Sequence, residues 1–124
     1  MTQAGAGDWV SDFFRDADQL DLPLMMKWFS DDIDLRIANM PPVLGVPAVE
    51  ETFKGFWSNL SGMSHERIGI VVDGDNAAQM ATVTYTRKDG KVVPLPVASH
   101  LQKNAEGKLK RLWVYIDIAP LYAD

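Results

Sequence analysis

The sequence predicts an α+β domain in which three N-terminal helices pack on a curved antiparallel sheet. Three observations point to it. Apolar residues recur at helical spacing in two early segments and again after Pro47. One alternating segment, around Ile33, Leu35 and Ile37, lies between them. From Met63 onward everything reads as strand and short turn, the pattern of an antiparallel meander. Helices gathered at one end of such a chain cover one face of the sheet.

The elements follow in order. Asp8 is placed to N-cap the first helix, with Trp9, Val10, Phe13, Phe14, Ala17 and Leu20 on one stripe. Asp21 caps a shorter second helix with Pro23 in its first turn and Leu24, Met25, Trp28 and Phe29 apolar. Ser30–Asp32 break the pattern before the first strand. Asn39-Met40-Pro41-Pro42 cannot continue a central strand, because each proline removes a ladder donor. The third helix carries Val49, Phe53, Phe56, Trp57 and Leu60 on one face, and Gly62 is placed to end it. Four strands are expected at about 63–72, 77–87, 92–103 and 109–118. Their turns are Asp73–Asn76, Lys88–Lys91 and Asn104–Lys108.

At 124 residues the chain is the size of one domain, expected over 8–124 behind a disordered 1–7. There is no cysteine, and only His65 and His100 could supply imidazole, so no structural metal is expected. No Gly-rich phosphate loop precedes a helix, and no cofactor is expected. A net charge of −5 with no cationic patch opposes nucleic-acid binding. No apolar run approaches the roughly 20 residues of a membrane span, and residues 1–7 lack the regions of a signal peptide. A cytoplasmic location is the expectation. In the last strand Leu112, Val114, Ile116 and Ile118 share one face, yet Trp113 and Tyr115 lie on the other. Large apolar groups on both faces imply a second cover, most economically a twofold-related copy, and so a homodimer.

Several strings resemble the SnoaL-like branch of the nuclear transport factor 2-like superfamily. They are Trp28-Phe29-Ser30-Asp31-Asp32, Asn39–Gly45, Asp89-Gly90-Lys91 and Tyr115-Ile116-Asp117-Ile118-Ala119-Pro120-Leu121, spread over about Asp8 to Leu121. The resemblance implies a cone-shaped α+β barrel with an apolar pocket, usually dimeric. It spans isomerases, cyclases, dehydratases, epoxide hydrolases and non-catalytic binding domains, so fold alone does not fix function.

Two catalytic patterns of those relatives can be laid over the chain. In a ketosteroid isomerase-like alignment the base falls at or beside Asn39, the tyrosine at Phe13 and the protonated acid at Ser99. An amide is no base at neutral pH and phenylalanine has no donor, which excludes that mechanism. In a limonene epoxide hydrolase-like alignment Asn39 matches, but the other positions fall at Ile37, Thr82, Thr84 and Val114. The same alignments imply a pocket lined by Phe13, Trp28, Phe53, Trp57, Val97, Leu112, Val114 and Ile116. Asn39, Ser99 and the Thr82/Thr84 pair are its polar points. Each has a plainer role: Asn39 as a turn residue, Ser99 bonded to backbone, the threonines as ordinary strand residues.

No catalytic group can be named with the same ease. His100 follows Ser99 and so faces away from the pocket. Asp117 shares that face by parity and reads as a partly buried acid, paired with Arg36 or Arg111 or capping the chain end. An Asp117–His100 pair is the best acid-base alternative if the face assignment reverses. His65 has Glu66 as its nearest candidate partner, but adjacent strand residues face apart. Two functions remain open. One is a cofactor-free isomerase, cyclase or dehydratase for a small apolar carbonyl, polyketide or terpenoid-like molecule. The other is a non-catalytic ligand-binding or dimerisation domain. A titratable group reaching the pocket would separate them.

Overall fold

The computed structural model describes residues 8–123; the segment expected to be disordered, 1–7, lies outside the described residues. Asp8 caps α1 (Trp9–Ala17), its carboxylate accepting from Ser11 N at 2.8 Å. Asp21 caps α2 (Leu22–Met26) through Leu24 N at 3.1 Å, with Pro23 in the first turn. β1 (Phe29–Ile37) then runs to a turn, and the two-residue β2 (Val43–Leu44) returns antiparallel beside it.

Gly45 stands between β2 and α3 (Val46–Trp57) with φ +88° and ψ 152°, a region that only glycine enters without strain. Its N–H is spent on Ile33 O at 2.9 Å, so the turn ties the helix start to β1. Gly45→Ala is expected to cost about 2–3 kcal/mol. Thermal melting checks this, and an unchanged midpoint would mean that the turn relaxes freely.

Four long strands complete the sheet: β3 (Leu60–Asp73), β4 (Asn76–Arg87), β5 (Val92–Lys103) and β6 (Leu109–Ile116). The order is β2-β1-β6-β5-β4-β3 in one curved, unclosed sheet. The meander pairs are antiparallel, whereas β1 runs parallel to β6 with Leu35 opposite Leu112. Several boundaries move from the sequence expectation. α2 stops at Met26 and β1 already begins at Phe29, so Ser30–Asp32 lie within the strand rather than before it. α3 stops at Trp57, and Gly62 sits inside β3 against Thr86. β6 stops at Ile116, because Ile118 precedes the short α4 (Ala119–Tyr122) with Pro120 in its first turn.

The helices lie on the concave face, where Ile33 and Leu35 of β1, Val83 of β4, Leu101 of β5 and Leu112 of β6 join Val10, Phe13 and Val49. Among the described residues no helix is long and apolar enough to cross a membrane. The opposite face carries Trp113 with the Arg36 and Arg111 guanidiniums over its ring at 4.1 and 4.2 Å. Tyr115, 59% exposed, lies next to it in β6.

Candidate functional site

The concave face can be followed strand by strand from the register. Thr86 pairs with Val92 across the β4–β5 turn, so odd positions of β4 face the same way as odd positions of β5. Ser99 therefore shares its face with Gln79, Val83 and Tyr85, and with Val114 of β6. On the other side of β4, Met63 lies opposite Tyr85 and His65 opposite Val83. This brings Met63, His65, Tyr85 and Ser99 under α1 and α3.

There they enclose a cavity of about 50 Å³ with Phe13, Phe14, Ala17, Phe53, Trp57 and Val114 among its walls. It is apolar apart from His65, Tyr85, Ser99 and the Trp57 indole. Tyr85 is 4% exposed, and burial pushes its phenol well above the ordinary range, so it remains an O–H donor at neutral pH. The Trp57 N–H is buried and meets no acceptor among the described residues. Such an orphan costs about 1–3 kcal/mol.

His65 is held by an acid from the end of α1. Asp18 Oδ2 accepts the His65 backbone N–H at 2.9 Å, and its Oδ1 lies 2.6 Å from Nδ1. Both side chains are largely buried, at 11% and 19% exposure. A carboxylate only accepts, so the proton of this contact sits on Nδ1, and in the neutral ring the lone pair falls on Nε2. The Phe14 ring packs 4.6 Å from the imidazole. His65 also walls a second, outer groove of about 280 Å³, lined by Ser11, Arg15, Asp18, Arg67 and Gln79. The imidazole thus separates an apolar interior from a polar approach.

Two residues further along β3, on the same face, Arg67 fastens the other end of α1. Its Nη atoms donate to both Asp8 oxygens at 2.9 and 3.1 Å, and its Nε donates to Gln79 Oε1 at 2.9 Å. The hydrogen bonds from Arg67 hold the Asp8 carboxyl below the usual carboxylate range. Asp8 and Asp18 therefore clip both ends of α1 to β3, placing the helix as the roof of the cavity.

Comparison with known proteins fits this arrangement. The family model of the SnoaL-like domain matches residues 10–112. The chain belongs to the SnoaL-like domain family. Solved structures share the fold of this SnoaL-like domain at low identity. A candidate polyketide cyclase from Xanthomonas campestris superposes with a TM-score of 0.80 at 13% identity, covering 90% of each chain. SalBIII, an epoxide hydrolase/cyclase-like enzyme of pyran-ring formation in salinomycin, gives 0.76 at 16% identity over 88% of each chain. An NTF2-like protein of unknown function from Exiguobacterium sp. 255-15 gives 0.72 at 23% identity, over 87% of this chain and 97% of that one. A search of curated proteins found no match.

Within the SnoaL-like domain the sequence-derived positions divide. Phe13, Phe53, Trp57, Ser99, Leu112 and Val114 meet at the cavity. Trp28 does not: it packs behind Phe13 at 5.4 Å and spends its indole N–H on Asp16 at 3.0 Å. Val97 and Ile116 pair with each other on the concave face but beyond the cavity wall. Thr84 pairs with Ser64 and Pro94 on the convex face, as does Thr82 with Glu66 and Pro96, because the turn register sets Val83 and Tyr85 inward instead. Asn39 lies in a separate open groove with Tyr115, Ile116 and Asp117, at the end of the β1 turn.

Asp117 and His100 do not meet in a cavity either. Asp117 is exposed rather than partly buried, and its Oδ1 caps Ala119 N at 3.0 Å, while Arg36 is taken by Asp34. His100 faces the convex side, its ring centroid 6.1 Å from that of Trp113. Burial, and then the Arg111 charge, lower its pKa. Among the described residues no cluster of three or more His, Cys, Asp or Glu could hold a metal.

Sequence reasoning weighed His65 only against its neighbour Glu66, and passed over Asp18 and Tyr85. One signal for Asp18 was present. It sits at the C-cap of α1, where an acid opposes the helix dipole, and an acid placed there needs another reason.

Proposed function

We propose that this SnoaL-like domain is a cofactor-independent acid-base enzyme of the isomerase, cyclase or dehydratase type. Its substrate is a small, mostly apolar molecule carrying a carbonyl, of polyketide or terpenoid-like character. The single observation that carries the reading is the Asp18–His65 contact at the wall of an apolar cavity. Asp18 fixes the Nδ1–H tautomer, which leaves Nε2 as the basic nitrogen of the site. Nε2 takes a proton from the carbon next to the carbonyl, and the electron pair of the broken C–H bond moves onto the carbonyl oxygen. The imidazolium then gives the proton up: to a conjugated carbon in an isomerisation, to a departing β-hydroxyl that leaves as water in a dehydration, or to the new alkoxide oxygen when the enolate carbon attacks a second carbonyl in a ring closure.

Exchange of the α-hydrogens of cyclopentanone for deuterium, followed by NMR in D₂O, tests this without knowledge of the substrate. Saturable acceleration by the protein, lost in His65→Gln, is the expected result. Equal exchange with wild type and His65→Gln would sink the base assignment.

One observation favours the second reading, a non-catalytic domain. The cavity of about 50 Å³ is smaller than the roughly 150 Å³ void that accepts benzene, so a substrate must displace side chains of the α1 roof. Absent exchange together with absent ligand binding would favour that reading.

The working form is proposed to be a cytoplasmic homodimer joined through the convex face. Trp113, Tyr115 and half-exposed Met80, with Arg36 and Arg111, make a surface rich in the residue types that anchor interfaces. Sedimentation at micromolar concentration is expected to give a dimer, and Tyr115→Glu a monomer with an intact far-UV spectrum. A wild-type monomer at that concentration would refute it.

A further inference from the structure

We infer that the Trp57 indole N–H, with the Tyr85 hydroxyl, forms the oxygen-binding end of the cavity, so the ligand must present a hydrogen-bond acceptor such as a carbonyl there. The inference rests on reading the cavity as a substrate site, and it assigns the half of that site opposite in role to His65.

Trp57 is 7% exposed and its ring packs on Phe53 at 5.3 Å between centroids. Indole nitrogen can only donate, and buried donors are nearly always paired in native interiors. Trp57 Nε1 has no acceptor among the described residues. The other indoles differ in circumstance. Trp28 donates to Asp16, and Trp9 lies half-buried under the Lys103 ammonium, 4.6 Å from its ring centroid. Trp113 Nε1 lies on the convex face, where its nearest acceptor is the Asp34 carboxylate and its N–H helps to hold that carboxyl low.

Trp57 alone among the four indoles belongs to the wall of this cavity. Tyr85 lines the same space, held by an edge-on contact of 5.6 Å with Phe56, the residue before Trp57. Its hydroxyl, too, has no hydrogen-bond partner among the described residues, and burial keeps it protonated. Two unspent donors in an enclosure whose other polar groups are only His65 and Ser99 match an acceptor oxygen and reject a hydrocarbon of the same shape. When charge builds on that oxygen as Nε2 removes the proton, the same donors bind it more tightly.

The test is a titration of the ¹⁵N-labelled full chain with cyclopentanone and with methylenecyclopentane, which replaces C=O by C=CH₂. Trp57→Phe assigns the indole signal. Should that variant fail to fold, Trp9→Phe, Trp28→Phe and Trp113→Phe assign it by elimination. Cyclopentanone is expected to bind about tenfold more tightly than the hydrocarbon and to move the Trp57 indole proton downfield, leaving the other indole signals in place. The preference is expected to vanish in Trp57→Phe and to shrink in Tyr85→Phe. Equal affinities, an unmoved Trp57 signal, or no binding of the ketone would each overturn the inference. A moved Trp57 signal without α-exchange would leave the donors standing and fail His65 as base. Exchange with an unmoved signal would do the reverse.

Discussion

Replacing Asp18 with asparagine is expected to slow α-exchange by about 10²–10⁴-fold while leaving the melting temperature within a few degrees. Asp18 does two things at once: one oxygen accepts the His65 backbone N–H, and the other accepts Nδ1–H. Asparagine has a single acceptor oxygen and an amide that donates. If its oxygen stays with the backbone N–H, the amide N–H₂ faces Nδ1 and selects the tautomer with hydrogen on Nε2. The base then has no lone pair where the proton must be taken. His65→Gln should give a loss of the same order, and the double variant should lose little more than either alone, because the two residues act as one unit. Additive losses in the double variant would mean that Asp18 acts by some route other than the ring.

Arg67→Leu is expected to lower stability at pH 7 by about 3 kcal/mol, which is about 10 °C in melting temperature for a chain of this size. The substitution removes the hydrogen bonds from Arg67 to Asp8 and Gln79. It strands the carboxylate of Asp8, whose side chain is 13% exposed, and the amide oxygen of Gln79, which is 3% exposed. The pH dependence identifies the cause. Arg67 depresses the folded-state pKa of Asp8, so the associated stability is fully present above the unfolded value of about 3.9. It is lost as pH falls through the lower folded value. The gap between wild type and Arg67→Leu should therefore be widest near neutrality and close progressively below about pH 4. A gap of constant size from pH 7 to pH 3, by denaturant titration, would place the effect in packing of the arginine stem instead.

What could be read in the sequence was what is local. The caps Asp8 and Asp21 announce their helices within three residues, and Ile33, Leu35 and Ile37 alternate because β1 is buried on one face. The meander was legible from its turns. Facing was less so. Thr84 was placed inward by matching it to a functional position of a relative, whereas the pairing of Thr86 with Val92 turns Val83 and Tyr85 inward. The candidate dyad was out of reach for a different reason. Asp18 and His65 are separated by 47 positions and join only when α1 folds back over β3, so no window of sequence contains both. Searching beside His65 offered only Glu66, which points to the opposite side of the strand. The orphaned indole of Trp57 is further still from view, since it is defined by everything that fails to surround it.

The parallel pairing of β1 with β6 has a consequence for how the chain is born. Leu35 finds its partner in Leu112, so some 77 residues must leave the ribosome after it before that ladder can close. At bacterial or eukaryotic elongation rates of about 5–20 residues per second, the delay is about 4–15 s. During it, Ile33, Leu35 and Ile37 have only the two residues of β2 as a strand neighbour. The N-terminal half therefore emerges as a sticky, half-finished edge, and the last strand to be translated is the one that slots between the oldest strand, β1, and the one made just before it, β5. A nascent chain stalled before Leu109 should recruit holding chaperones, and release of the final strand should end that dependence.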